Sequence, residues 1–133
     1  MELQPLSEET RAALLAGELP AAHVDTLDAA RMGAPMWLVV VDGEVIGDCG
    51  TFGPPDERGD VEIGYGLAAE HRGRGHGTEL VRRLVALLFG QEDVRRIVAH
   101  ADNDVSAHLL ERSGFVRDGE RWVLSRPRSA RQQ

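Results

Sequence analysis

Apolar residues alternate with polar or small ones along Val61, Ile63, Tyr65 and Leu67, the period of a strand with one buried face. The alternation breaks at a glycine-rich turn and gives way to helical spacing from Thr78, where Leu80, Val81, Leu84, Val85 and Leu88 form one apolar stripe ended by Gly90. Upstream, Trp37–Val41 and Glu44–Phe52 flank Asp42-Gly43, the signal of a tight hairpin. The loop GPPDERGD leads from this hairpin into the strand Val61–Leu67. Downstream come a strand over Arg96–Ala101, a helix over Val105–Ser113 capped by Asn103 or Asp104, and a hairpin of Phe115–Arg117 and Arg121–Ser125 around Asp118-Gly119. Ser7–Ala16 has a serine cap, acidic first-turn residues and a closing Gly17, and predicts a helix. Ala21–Met32 predicts a second, less regular one. Antiparallel strands followed by a strand–helix–strand unit predict an α/β fold, a mixed and mostly antiparallel sheet of about 6–7 strands with helices on both faces.

Composition narrows the setting. The chain has 133 residues, enough for one domain, expected over residues 1–126 with a disordered tail over 127–133. The single cysteine, Cys49, points away from a disulfide framework and towards a reducing compartment. The longest apolar run, Met36–Val41, is strand-sized, and the first residues lack a basic-then-apolar leader pattern. The expectation is a cytoplasmic protein that binds no membrane. Charge is unevenly placed: residues 1–70 carry 3 Arg against 14 Asp and Glu, a net −11, whereas residues 71–133 carry 12 Arg against 8, a net +4. A basic second half suits a phosphate-bearing ligand and an acidic first half suits a cationic partner, although solvated surface charge gives such skews too. The acidity argues against nucleic acid, whose phosphates it would repel.

The turn itself, Glu70–Gly77, places Gly73, Gly75 and Gly77 at alternate positions among Arg72, Arg74 and His76. Glycines admit positive φ and close approach of the backbone, so that successive N–H groups can converge on an anion. The helix that follows adds unpaired N–H donors and a partial positive charge. A phosphate-binding P-loop requires a lysine, and the chain has none. A dinucleotide fingerprint requires G-x-G-x-x-G and an acidic residue after the next parallel strand; here the glycines read G-x-G-x-G and the next strand candidate leads into a helix cap.

The remaining pattern, R/Q-x-x-G-x-G/A, is met by Arg72, Gly75 and Gly77, and resembles the pyrophosphate loop of the GNAT superfamily of acyl-CoA N-acyltransferases. The later stretch Asn103–Phe115 is similar to the second signature of that superfamily, with Asn103, Ser106, Leu109, Glu111, Gly114 and Phe115 in place. The opening EIGYGL is closest to its ribosomal-protein N-terminal acetyltransferase branch. The resemblance runs over Met36–Arg126 and implies an acetyl-CoA-dependent N-acetyltransferase that requires no metal. It implies that the strands Val61–Leu67 and Arg96–Ala101 splay apart to admit the acyl-pantetheine. Cofactor contacts would come from Leu67, Arg72, Gly73, Arg74, Gly75, His76, Gly77, Thr78, Asn103 and Ser106. The acceptor would be a primary amine on a cationic small molecule or a peptide N-terminus, and the resemblance is compatible with a homodimer.

Acetyl transfer to an amine needs a base, donors for the developing oxyanion and an acid for the departing thiolate. Glu62 is the first choice for the base, since it shares a strand face with Gly64 and Gly66 and has room beside it. A carboxylate tied to an arginine is the competing structural reading. His100 is the second choice, as imidazole ordinarily titrates near neutrality, and Asp48 is a further carboxylate for the acceptor side. The resemblance implies a backbone oxyanion donor near Tyr65–Leu67. It also implies a tyrosine acid after Leu109, where this chain has Leu110. Tyr65 reads as core or pocket wall, His108 points away from Ser106, and Arg82 and Arg83 read as solvated before they read as phosphate contacts. Either water would then protonate the thiolate or catalysis would be modest. The departure keeps open a second class of function, a catalytically weak acyl-CoA-binding regulatory module.

Overall fold

The computed structural model describes residues 1–18 and 35–127. The helix predicted over Ala21–Met32, and the predicted tail beyond Pro127, lie outside the described residues. Seven strands form one sheet: β1 (Glu2–Pro5), β2 (Met36–Val41), β3 (Glu44–Thr51), β4 (Asp60–Leu67), β5 (Arg96–Ala99), β6 (Val116–Asp118) and β7 (Arg121–Ser125). Their spatial order is β1-β2-β3-β4-β5-β7-β6. Every neighbouring pair is antiparallel except β4 with β5, which the helical crossover makes parallel. The described helices are α1 (Glu8–Leu15), α2 (His76–Phe89) and α3 (Asp104–Arg112).

Most elements follow from local chemistry. Asp42 and Gly43 both take positive φ, 52° and 80°, which lets a two-residue turn match the twist of β2 and β3. Ser7 caps α1 by accepting a hydrogen bond from the Thr10 amide at 3.0 Å, and Asn103 caps α3 by accepting from the Ser106 amide at 2.9 Å. The strand β1 has no counterpart in the sequence pattern. Its four residues, ELQP, show no apolar alternation, and its proline is tolerated because β1 lies at the sheet edge.

The core lies on one face of the sheet, where Trp37, Cys49, Val61, Ile63, Ile97 and Trp122 meet Leu80, Val81, Leu84 and Leu88 of α2 and Leu110 of α3. Burying each large aliphatic side chain there contributes about 1.5–3 kcal/mol. The opposite face carries Met36, Leu38, Asp48, Gly50, Glu62, Gly64 and Gly66 by strand alternation. The helix α1 approaches this side, with Arg11 Nη1 3.9 Å from Met36 Sδ. At the carboxyl end, Arg126 donates to the carbonyls of Phe89 (2.8 Å), Gln91 (2.6 Å) and Val94 (2.6 Å), satisfying acceptors at and just beyond the end of α2.

One topological detail positions the site. β4 pairs with β5 only through Asp60↔Arg96, Val61↔Ile97 and Glu62↔Val98, yet it runs on to Leu67 against β3. The two strands part after Glu62. At the closed end, Arg96 grips Asp60 through two hydrogen bonds of 2.7 and 2.6 Å.

Candidate functional site

The open end of the β4–β5 gap faces the glycine loop. Gly73 and Gly75 take φ of +77° and +83°, and a Cβ on either would meet nothing within 4 Å, so both are glycine for backbone conformation and not for lack of space. Gly75 occupies the cap position of α2 and offers no side chain to it. Among the described residues, the amides of Gly73, Arg74, Gly75, His76, Gly77 and Thr78 donate to no protein acceptor. Six consecutive unbonded N–H groups lie at the positive end of a fourteen-residue helix, donors of the kind that can hold an anion. Arg72 holds the loop in place, its Nε donating to the Leu67 carbonyl at 3.1 Å and joining the loop to the end of β4. Gly77 serves packing: a Cβ there would lie 2.7 Å from Leu109 Cδ1, so the first turn of α2 fits closely on α3.

The backbone of β4 supplies a second set of groups. The Glu62 carbonyl accepts from Phe52 at 3.0 Å and the Ala68 amide donates to Ile46 at 2.8 Å, so even-numbered residues are turned towards β3. Tyr65 and Leu67 therefore direct their N–H groups to the other edge, beyond the last β4–β5 pair. Asn103 and Ser106 stand at the start of α3, with the Asn103 side-chain oxygen engaged in the cap and its NH2 group outside it. Leu110 is fully enclosed, at 0% exposure. The Tyr65 hydroxyl is buried and has no hydrogen-bond partner. Burial, and then the charge of Asp102, push its phenol up to about 12.

The two candidate bases meet. His100 Nε2 lies 3.6 Å from Glu62 Oε2, with both side chains about half exposed, at 52% and 48%. Glu62 forms no ion pair with an arginine among the described residues; Asp60 takes Arg96 instead. Asp48 pairs in register with Gly66, on the Glu62 face, and is 4% exposed. Cys49 is enclosed as well, and burial followed by the Asp48 charge pushes its thiol up, out of the range of a nucleophile. Arg83 pairs with Glu79 at 2.9 Å along α2, the ordinary use of a helix-face arginine. No three His, Cys, Asp or Glu side chains come together as a metal site among the described residues. No described helix is long and apolar enough to cross a membrane.

The structure thus gathers Arg72 to Thr78 in one cradle, joins it to Leu67, and places Asn103 and Ser106 on the helix that Gly77 packs against. Sequence spacing missed the Arg72–Leu67 tie and the unpartnered Tyr65 hydroxyl. The first had a signal in the arginine five residues after the strand's last leucine; the second had none, because partnerlessness is a property of the surroundings.

Comparison with known proteins agrees with this geometry. A sequence profile described as an acetyltransferase (GNAT) domain matches residues 4–116. The uncharacterized N-acetyltransferase YjdG of Bacillus subtilis (strain 168) is 34% identical over 88 residues, covering 63% of this chain and 52% of YjdG. The uncharacterized N-acetyltransferase p20 of Bacillus licheniformis is 37% identical over 84 residues, covering 62% of this chain and 47% of p20. The chain spans about half the length of the curated relatives it matches. Among solved structures, a spermidine N-acetyltransferase SpeG chimera from Vibrio cholerae and hSSAT superposes with a TM-score of 0.73 at 18% identity, over 94% of this chain and 96% of that one. Aminoglycoside acetyltransferase AAC(6')-Ib with coenzyme A and kanamycin superposes with a TM-score of 0.71 at 25% identity, over 94% and 95% of the two chains. Loop, parted strands and profile agree, and the chain belongs to the GNAT acetyltransferase-domain family.

Proposed function

We propose that this domain transfers an acetyl group from acetyl-CoA to a primary amine, carried by a cationic small molecule or a protein N-terminus. The observation that supports this most directly is the run of six unbonded amides from Gly73 to Thr78, beside the parted end of β4. It fits a pyrophosphate in charge, donor number and backbone shape. When bound, acetyl-CoA supplies an activated acyl carbon. The chain supplies the rest: the loop amides with Arg72 and Arg74 hold the phosphates, and the Tyr65 and Leu67 amides face the pantetheine arm. The Asn103 and Ser106 side chains border that arm, and Glu62 with His100 takes a proton from the incoming ammonium.

The acceptor class follows from charge. Glu62 is half exposed beside the parted strands, within a first half of the chain that carries a net −11. Such a surface attracts ammonium groups and repels phosphate backbones. Spermidine and kanamycin, which appear in the descriptions of the structural neighbours, are both polycationic amines.

Calorimetry with acetyl-CoA, followed by detection of released thiol with spermidine, kanamycin and a peptide bearing a free N-terminus, tests the reading. The expected result is binding, and thiol release with at least one acceptor that saturates between about 1 μM and 1 mM. Binding with no release from any of them would replace the enzyme with an acyl-CoA-binding module. Absence of binding would overturn both.

A further inference from the structure

We propose that Glu44 and His71 are positioning residues for the glycine loop: their ion pair straps the loop to the β2–β3 hairpin while the imidazole is charged, so that acetyl-CoA binding weakens as pH rises. The inference deepens the acetyl-transfer reading and rests on it.

Burial and distance carry it. His71 closes the short 3₁₀ turn Ala69–His71 and directly precedes Arg72 and the glycines. Its side chain is only 14% exposed, and its Nε2 lies 3.3 Å from Oε2 of Glu44, the first residue of β3. Among the described residues, Glu44 is its one side-chain partner. The charged residues beside the pair are otherwise occupied or exposed. Arg72 is turned to the Leu67 carbonyl, and neither Glu70, next to His71, nor Asp42, at the tip of the hairpin, forms an ion pair among the described residues. In the first turn of α2, Glu79 is held by Arg83.

The loop has few other holds. The Ala68 amide donates to the Ile46 carbonyl of the same strand β3 at 2.8 Å, and Arg72 ties to Leu67 at 3.1 Å. Beyond Arg72 the amides from Gly73 to Thr78 are unbonded, and glycine leaves the backbone at 73 and 75 free to turn. Converging N–H groups among Arg72, Arg74 and His76 repel one another until an anion arrives, so the binding shape is imposed from outside the loop. Of the side-chain tethers, the Glu44–His71 pair is the one whose strength changes near neutral pH, since imidazole is the side chain that ordinarily gains its charge there. The sign is fixed. A charged imidazole attracts the Glu44 carboxylate and the strap holds; deprotonation removes the attraction as pH rises. A ligand that needs the loop in one shape binds more weakly in proportion to the fraction of molecules that leave it.

Glu44→Gln and His71→Gln each remove one charge, and neither alters the groups assigned to the phosphates or to proton transfer. Calorimetry with acetyl-CoA should show each variant about two- to fivefold weaker than the parent at about pH 6, the range of a partly exposed ion pair, and equal to it at about pH 8.5. The double variant should match the single ones. His76 and the cofactor phosphates are common to all four proteins, so the difference from the parent isolates the strap. The kcat at saturating acetyl-CoA should be unchanged. A second reading needs no ligand: the His71 and Arg72 amides donate to Ala68 and Ala69, and their hydrogen exchange, followed by NMR and corrected for the intrinsic rate, reports opening of the turn. It should be faster in Glu44→Gln than in the parent at the lower pH and equal at the higher one. A deficit of the same size at both pH values would overturn the proposal, as would equal affinities at the lower pH. Failure of the parent to bind acetyl-CoA would remove the proposed function, and the exchange rates would then decide whether the strap holds the turn.

Discussion

Glu62 and His100 were legible in the sequence as separate candidates, one from strand alternation and one from its place at a strand end. Their contact was not, because it depends on the parallel register Glu62↔Val98, which joins segments 36 residues apart. The register brings the two alternatives side by side, 3.6 Å apart, and we propose that they act as one unit in taking the proton. Groups acting as a unit give non-additive losses. Glu62→Gln is expected to lower kcat by about 10²-fold while leaving acetyl-CoA affinity unchanged. The double variant Glu62→Gln/His100→Ala should be no slower than the slower single variant. Steady-state rates for the four proteins decide the matter, and fully multiplicative losses would mean that the two residues act independently.

Two glycines two positions apart in the cradle element do opposite work. Gly75 has open space and a positive φ, whereas Gly77 has ordinary φ and a neighbour at 2.7 Å. Gly75→Ala therefore forces a left-handed residue, at about 1–2 kcal/mol, or lets the loop turn its amides away. Acetyl-CoA affinity is expected to fall at least tenfold, about 1.4 kcal/mol, with little effect on packing. A methyl at Gly77 meets only the tip of the Leu109 side chain, which can turn aside, so Gly77→Ala should change thermal stability little and weaken acetyl-CoA binding far less than Gly75→Ala. Calorimetry and thermal unfolding of the three proteins separate these effects. The G-x-G-x-G spacing disclosed the cradle because glycine marks unusual backbone wherever it is required. It did not disclose which glycine served conformation and which served contact, since that depends on what α3 brings alongside. The β1 strand was illegible for a related reason: ELQP is a strand because β2 offers it an edge, not because its own residues alternate.

At the scale of the whole molecule, the sheet is two halves joined by a short parallel seam. The seam closes at Asp60–Arg96, and the donated hydrogen bonds of Arg96, with its charge, hold the Asp60 carboxyl below its usual range. A group depressed in the folded state adds stability above its unfolded value, near 3.9, and that stability is lost as pH falls through the lower folded value. Unfolding experiments between pH 5 and 2 should therefore show a steeper loss for the parent than for Asp60→Asn, which is expected to be less stable at neutral pH and to lose less on acidification. Parallel curves for the two proteins would mean that the ion pair does not hold the seam. The mixed sheet, both hairpins and the crossover helix could be read from periodicity and turn residues. The parting of β4 from β5 was legible only through the family resemblance, because each strand is regular by itself and only their divergence makes the gap.

Cys49 is the chain's only thiol, sits at the middle of β3 with no exposed surface, and is pushed away from its reactive thiolate form by burial and by Asp48. A thiol-directed dye added to the folded protein should thus report liberated CoA with almost no background from the protein itself. Over longer times the same dye becomes a clock. Each labelled Cys49 records one opening of the sheet between β2 and β4, so one reagent can follow turnover in its first minutes and the breathing of the core thereafter.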